Sequence, residues 1–391
     1  MRKPSKKAIA GLLLLPLLLS LFSGCTGLAG GTVTATPEPT AAVTPEPTPE
    51  PTPEPTPTPN LVEYTGAVEH LFFHPLVTYP ELAFDGDKMS DGFDDWFVTV
   101  DEYKKILQSL YDNGYILVDI NSIYSEVTNS AGQTVMQRNT LMLPEGKKPL
   151  IISFDDVNYY DYMRENGVVW KLVLDEDGNI ASLSYDADSN EVISRDNDIV
   201  AYLDLFVEEH PDFSFDGAKG CIGLTGYEGI LGYRTQADSP NRDSEIEAVK
   251  PIIARLKETG WTFASHTWGH INMTNSSLER IKTDMGKWID QVQSLVGETQ
   301  VLLYPYGARV DEKNGAAFKY LQSCGFTIFC SVGTEPYVNI HTDSAAVCCD
   351  RMHPDGTTLR HGRKRYLRFY DAEEVINLQV RPDRPYDFSL D

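Results

Sequence analysis

The sequence predicts an α/β fold built on a parallel sheet, open or closed into a barrel, and three observations predict it. Strand-like apolar runs alternate with helical stretches through the second half of the chain. The run Pro149-Leu150-Ile151-Ile152-Ser153-Phe154 is almost continuously apolar, as expected of a strand buried on both faces. Polar clusters follow three of the strands directly, at the end where active sites assemble in parallel α/β folds.

The elements follow in chain order. Thr99-Val100-Asp101-Glu102 reads as a capping box before Tyr103, Ile106, Leu107 and Leu110, which share one helix face. Gly114 stops that helix, and Tyr115–Ile120 is a strand. The run from Pro149 is the next. Lys171–Asp175 and Ile180–Tyr185, joined by Glu176-Asp177-Gly178-Asn179, form a hairpin inserted at the rim of the fold. Ile199–Glu209 is helical and Cys221–Thr225 extended. Glu245–Thr259 is a helix closed by Gly260, ahead of a strand over Trp261–Ala264. Ser276-Ser277-Leu278-Glu279 caps a long helix reaching Leu295. Val301–Tyr304 is a strand, Asp311–Ser323 a helix closed by Gly325, and Phe326–Cys330 a strand.

The start of the chain reads as an address. Arg2, Lys3, Lys6 and Lys7 precede an apolar stretch from Ile9 to Phe22, shorter than the ~20 residues a bilayer span needs. This is the pattern of a signal peptide over residues 1–24. Leu21-Phe22-Ser23-Gly24-Cys25 resembles a bacterial lipobox, in which Cys25 carries lipid and becomes the mature N-terminus. Phe22 stands where Leu is usual. Residues 25–60 form a tether whose Pro-Glu-Pro-Thr array favours extended polyproline geometry, about 75 Å at ~3.1 Å per residue. The expectation is therefore a globular head, residues 61–391, lipid-anchored to the outer face of a bacterial cytoplasmic membrane.

Charge narrows the partners. Lys and Arg total 33 against 57 Asp and Glu, a net charge of −24. A field of that sign repels polyanions and argues against nucleic acid as a partner. Beyond Cys25, five cysteines remain and no CxxC pair occurs, which argues against a zinc ribbon.

Chemistry concentrates after three strands: Ser153-Phe154-Asp155-Asp156, then Ser265-His266-Thr267-Trp268-Gly269-His270, then Tyr304-Pro305-Tyr306-Gly307. One carboxylate and two imidazoles suit a divalent metal, Zn²⁺ first, with a position left open. The residue after His266 is Thr267, so the HExxH general base is missing, and neither a G-x-S-x-G elbow nor a P-loop is present.

These clusters resemble the polysaccharide deacetylases, the NodB-homology group, whose motifs Thr/Ser-Phe-Asp-Asp, His-Ser/Thr-x-x-His and Arg-x-Pro-Tyr-Gly occur in this order. The resemblance covers roughly residues 147–350. It implies an irregular (β/α) barrel, one divalent metal (Zn²⁺, with Co²⁺, Ni²⁺ or Mn²⁺ as alternatives) and hydrolysis of acetyl groups on a cell-wall or extracellular glycan, N-acetyl amide ahead of O-acetyl ester. Transferred position by position, Asp155 is the general base, and Asp156, His266 and His270 are metal ligands. The Tyr306 N–H helps hold the oxyanion. The leaving amine takes its proton from a late histidine, with His353 preferred over His341 and His361.

Two positions depart from the family pattern: Val157 replaces a Gly, and Leu303 replaces the Arg that partners the base. These departures favour a second reading, a non-catalytic carbohydrate-binding lipoprotein on the same fold. Three further features are weaker. Arg234 could reach the site, Trp268 is a sugar platform or a packing residue, and the basic run Arg360–Arg365 is a solvated face or a contact for anionic wall polymer.

Overall fold

The computed structural model describes residues 60–313 and 315–389. The signal segment, Cys25 and the tether up to residue 59 lie outside the described residues.

Seven strands carry the fold: β1 (Glu69–Phe73), β2 (Lys148–Phe154), β3 (Cys221–Leu224), β4 (Thr262–Ser265), β5 (Val301–Leu303), β6 (Ile328–Val332) and β7 (Val347–Arg351). Each pairs parallel with the next. The sheet curls until β7 meets β1 at a parallel bridge between Leu71 and Met352. That seam is narrow. Phe72 N–H donates to the Met352 carbonyl and Met352 N–H to the His70 carbonyl, both at 2.9 Å. Below it the two edges part: β7 pairs antiparallel with Val338–Ile340, and β2 pairs with Tyr115–Leu117. The barrel is therefore irregular, and it extends past the expected 147–350 core at both ends.

Helices α1 (Val100–Asp112), α2 (Ile199–Glu209), α3 (Arg242–Glu258), α4 (Leu278–Trp288) and α5 (Ala316–Ser323) connect successive strands from β1 to β6. The capping box of α1 forms as expected, Thr99 accepting from Glu102 N–H while the Glu102 carboxylate accepts from Thr99 N–H. Its expected apolar face, Tyr103, Ile106, Leu107 and Leu110, is fully buried. Asp198 and Ser277 cap α2 and α4. After α4 the helix widens to a π-turn over Ile289–Gln293 before ending near Val296. Helix α5 begins at Ala316 rather than Asp311, whose carboxylate instead accepts from Lys313 N–H in a turn. The inserted hairpin is present, with a third strand, Glu191–Ser194, added.

Strands β1 and β7 are not anticipated by sequence. Glu69–Phe73 is a brief apolar run cut off at Pro75, and β7 reads Val-Cys-Cys-Asp-Arg, whose inward Arg351 breaks any apolar pattern. The Tyr115 strand stops at Leu117 because Asp119 then caps a short turn. The basic run is also not simply a solvated face: Arg360 is buried and paired with Asp94 at 2.7 Å. Arg381, fully buried, joins the C-terminal segment to Asp94 and Glu102.

Candidate active site

All three sequence clusters converge with β1 and β7 at the C-terminal end of the barrel. They line a cavity of about 600 Å³ together with Trp96, Tyr160, Tyr162 and Tyr227, of which Trp96 and Tyr162 are exposed. A cleft of about 720 Å³ at the opposite strand ends, lined by Asn121, Lys257 and Gln300, gathers no such cluster.

Asp156 follows β2 in left-handed backbone, φ 60°, which turns its side chain away from that of Asp155. Thr267, His270 and Tyr306 share that conformation at φ 60°, 49° and 59°. Strained backbone of this kind persists only where surrounding structure enforces it, and it clusters here on the residues that face the cavity or turn the chain toward it. Each metal-type donor is held from behind. His266 Nδ1–H donates to the Leu303 carbonyl at 2.8 Å, and His270 Nδ1 is 2.9 Å from the Tyr306 hydroxyl. Both rings are thereby left with Nε2 facing the carboxylates. The Tyr160 hydroxyl donates to Asp156 Oδ1 at 2.6 Å. His270 Nε2 lies 3.7 Å from Asp156 Oδ2 and His266 Nε2 4.0 Å from Asp156 Oδ1. One donor atom from each of Asp156, His266 and His270 falls within 4.8 Å of the others, so the set fits a single small divalent cation. Burial raises the Asp156 pKa, but the His270 and His266 rings outweigh it and the carboxyl titrates below its ordinary range.

Asp155 is the other half of the pair, and its partner is a residue the motif does not contain. Arg351, fully buried on β7, donates to both Asp155 oxygens at 2.7 and 2.9 Å and stacks on Phe72 at 4.3 Å. Burial pushes the Asp155 carboxyl up. The Arg351 charge, and then His266, overcome that and hold it well below the ordinary carboxylate range. The Arg expected in place of Leu303 is therefore supplied from another strand. Leu303 is buried in the barrel interior opposite Cys330 in the β5–β6 register. Val157, the other departure, is buried in the core and its carbonyl accepts from Leu231 N–H, so it does not narrow the cavity.

His353 lines the cavity as expected, whereas His341 and His361 do not. Its Nδ1 lies 3.0 Å from Asp355 Oδ2, and its Nε2 3.1 Å from Nδ1 of His74. His74 follows β1 and was missed with it; a histidine directly after an apolar run and before Pro75 is the signal that could have found it. Burial, then the neighbouring His353, lower its pKa to about 4 against the pull of both aspartates.

Arg234 and Trp268 are not cavity residues. Arg234 donates to the carbonyls of Glu228 and Tyr159 and to Asp161, tying the loop after β2 to the loop after β3. Trp268 is turned away by the left-handed Thr267 before it. Its Nε1–H donates to Gln291 at 3.2 Å, and Lys287 covers its ring at 4.1 Å. It is a packing residue against α4.

Residues 237–329 match the family model described as Polysaccharide deacetylase. Solved structures with a similar chain course include the Streptococcus pyogenes deacetylase PplD in complex with acetate (14% identity, 83% of this chain and 99% of that one, TM-score 0.43). Others are a polysaccharide deacetylase from Bacillus cereus (15% identity, 74% and 65%, TM-score 0.40) and IcaB from Ammonifex degensii (13% identity, 75% and 93%, TM-score 0.40). A search of curated proteins finds no match.

Proposed function

The chain carries a polysaccharide deacetylase domain, and from that premise we propose that it removes N-acetyl groups from a neutral stretch of an extracellular or cell-wall glycan with the help of one divalent cation. The observation that carries this reading is the Asp155–Arg351 pair beside the Asp156, His266 and His270 donor set, a base and a metal-type triad within one cavity. Aromatic side chains supply most of the cavity mouth, with Trp96 55% and Tyr306 70% exposed, and such faces suit the apolar faces of sugar rings. Among the lining residues Asp155 and Asp156 are the only carboxylates, and no Lys or Arg lines it, which favours an uncharged glycan over an anionic one.

Asp156, His266 and His270 would hold the cation. When bound, it would supply Lewis acidity toward water and the acetyl oxygen. Asp155, kept ionised by Arg351, accepts the proton of the attacking water. The Tyr306 N–H would meet negative charge developing on the acetyl oxygen. The leaving nitrogen needs a proton, and the chain Asp355–His353–His74 can deliver one. His353 Nδ1 lies beside Asp355 and its Nε2 faces His74 Nδ1, so a proton on His353 Nε2 can pass to His74 Nδ1. Neutral His74 then gives its own Nε2 proton to the amine. His353 is thus the acid and His74 the relay.

Acetate release from a panel of N- and O-acetylated glycans by the purified head domain, loaded with Zn²⁺, tests the reading. Release from an N-acetylated glycan is expected; none from any substrate would revive the non-catalytic reading. That alternative has lost its support, since the roles of Leu303 and Val157 are now accounted for by Arg351 and by core packing.

The apolar leader, Cys25 and the Pro-Glu-Pro-Thr stalk support a lipid-tethered enzyme on the outer face of a bacterial membrane. Metabolic labelling with a lipid precursor in a bacterial host checks this. Label is expected on the wild-type chain and not on Cys25→Ala, and an unlabelled wild type would remove the tether.

A further inference from the structure

Beneath the candidate active site, inside the barrel, lies a second cluster of donors that the deacetylase chemistry does not use. Cys330 on β6 and Cys349 on β7 are register partners on adjacent parallel strands, so both side chains face the same way. They face inward, packing in one buried cluster with Cys221, Ile151, Ala264 and Leu303 from four other strands. Their sulfurs are 3.3 Å apart. His70, on β1, completes the group across the barrel seam. One donor atom from each of His70, Cys330 and Cys349 lies within 4.8 Å of the others, and all three residues are at least nine-tenths buried.

The state of the His70 ring is the independent observation. Its Nε2 lies 3.0 Å from Ser153 Oγ, which also accepts from Arg351 at 3.0 Å. Its Nδ1 is buried with no hydrogen-bond partner among the described residues. A buried, unpaired polar nitrogen in a barrel interior is costly unless something meets it. With Ser153 Oγ accepting from Nε2–H, Nδ1 would be left as a lone pair, the tautomer and outer hydrogen bond that metal-ligating histidines show.

We propose that His70, Cys330 and Cys349 form a second metal site, specific for a thiophilic divalent d¹⁰ cation such as Zn²⁺, that staples β1 to β6 and β7. Binding converts two thiols to thiolates and releases two protons to solvent. Two thiolates and a divalent ion sum to zero charge, which a closed apolar interior tolerates far better than separated charges. Soft sulfur donors select against the hard cations that a carboxylate-containing set also accepts, so the two sites sort metals by chemistry. The staple falls where the barrel needs it, because β1 and β7 otherwise share a single bridge. The site is independent of the proposed hydrolytic reading: it contains no residue of the catalytic cavity.

Cd²⁺ is the probe, added to the reduced, full-length protein during refolding so that it can enter before the barrel closes. Thiolate-to-cadmium charge-transfer absorption should grow to one equivalent in the wild type. The active-site donors include no sulfur, so His266→Ala should keep the band while losing one equivalent of metal. Cys330→Ser and Cys349→Ser should each lose the band, and Cys348→Ser, whose side chain packs on the opposite side of β7, should retain it. No thiolate band in the folded wild type overturns the site outright, whatever the variants do. So does a band that survives both serine substitutions, or alkylation mapping that finds Cys330 and Cys349 joined as a disulfide in protein handled with reductant.

Discussion

Replacing Asp155 by asparagine is expected to lower acetate release about 10²–10⁴-fold, the usual contribution of a general base, while metal content stays at the wild-type level. Asparagine keeps the shape and one acceptor for Arg351 but cannot take a proton from water. Asp155 is not part of the donor set, and its backbone is anchored to β1 by a 2.9 Å bond to the Phe73 carbonyl, so the loop should hold its course. His266→Ala is the contrasting change. Two protein donors remain of three, too few for tight binding of Zn²⁺, and both metal at this site and activity should fall together. Elemental analysis and acetate release on the same preparations separate the two roles. Loss of metal in Asp155→Asn would mean that the roles of Asp155 and Asp156 are reversed, and retention of metal in His266→Ala would count against the site.

Arg351→Met is expected to cost about 3–5 kcal/mol of stability, because it leaves the buried Asp155 carboxylate without its guanidinium partner. Denaturant titration with and without Asp155→Asn measures it, and the double variant should be less destabilised than the two single changes added together. The pH dependence follows from the sign of the shift. Asp155 titrates below its unfolded value, so its pairing stabilises the native state above the ordinary carboxylate range and loses that contribution as pH falls through it. The deficit of Arg351→Met should therefore shrink toward acid pH. In the same variant burial acts on Asp155 unopposed by Arg351, and the acid limb of activity should move to higher pH. An unshifted limb would show that Arg351 does not set the ionisation of the base.

What could be read in advance was what lies close together along the chain. Asp155-Asp156 and His266-x-x-x-His270 each sit within a few residues after a strand, and strand ends in a parallel sheet share one rim. His353 was reachable only through resemblance, yet its place in the cavity holds. Trp268 and Arg234 looked like site residues because they neighbour the motifs. A single left-handed residue, Thr267, was enough to direct Trp268 outward, and backbone carbonyls claimed Arg234.

The sequence by itself determined the helix caps at Thr99 and Ser277, the buried strand β2 and the identity of the metal-type donors, since each depends on residues within one turn or one strand. Only the tertiary structure decided which cation faces Asp155 and which imidazole pairs with His353. Arg351 lies 196 residues from Asp155, and His74 lies 279 residues from His353. Both pairs form because the barrel closes β7 onto β1. Closure depends on the curl of the whole sheet, and no local pattern around Leu303, Arg351 or His74 encodes it.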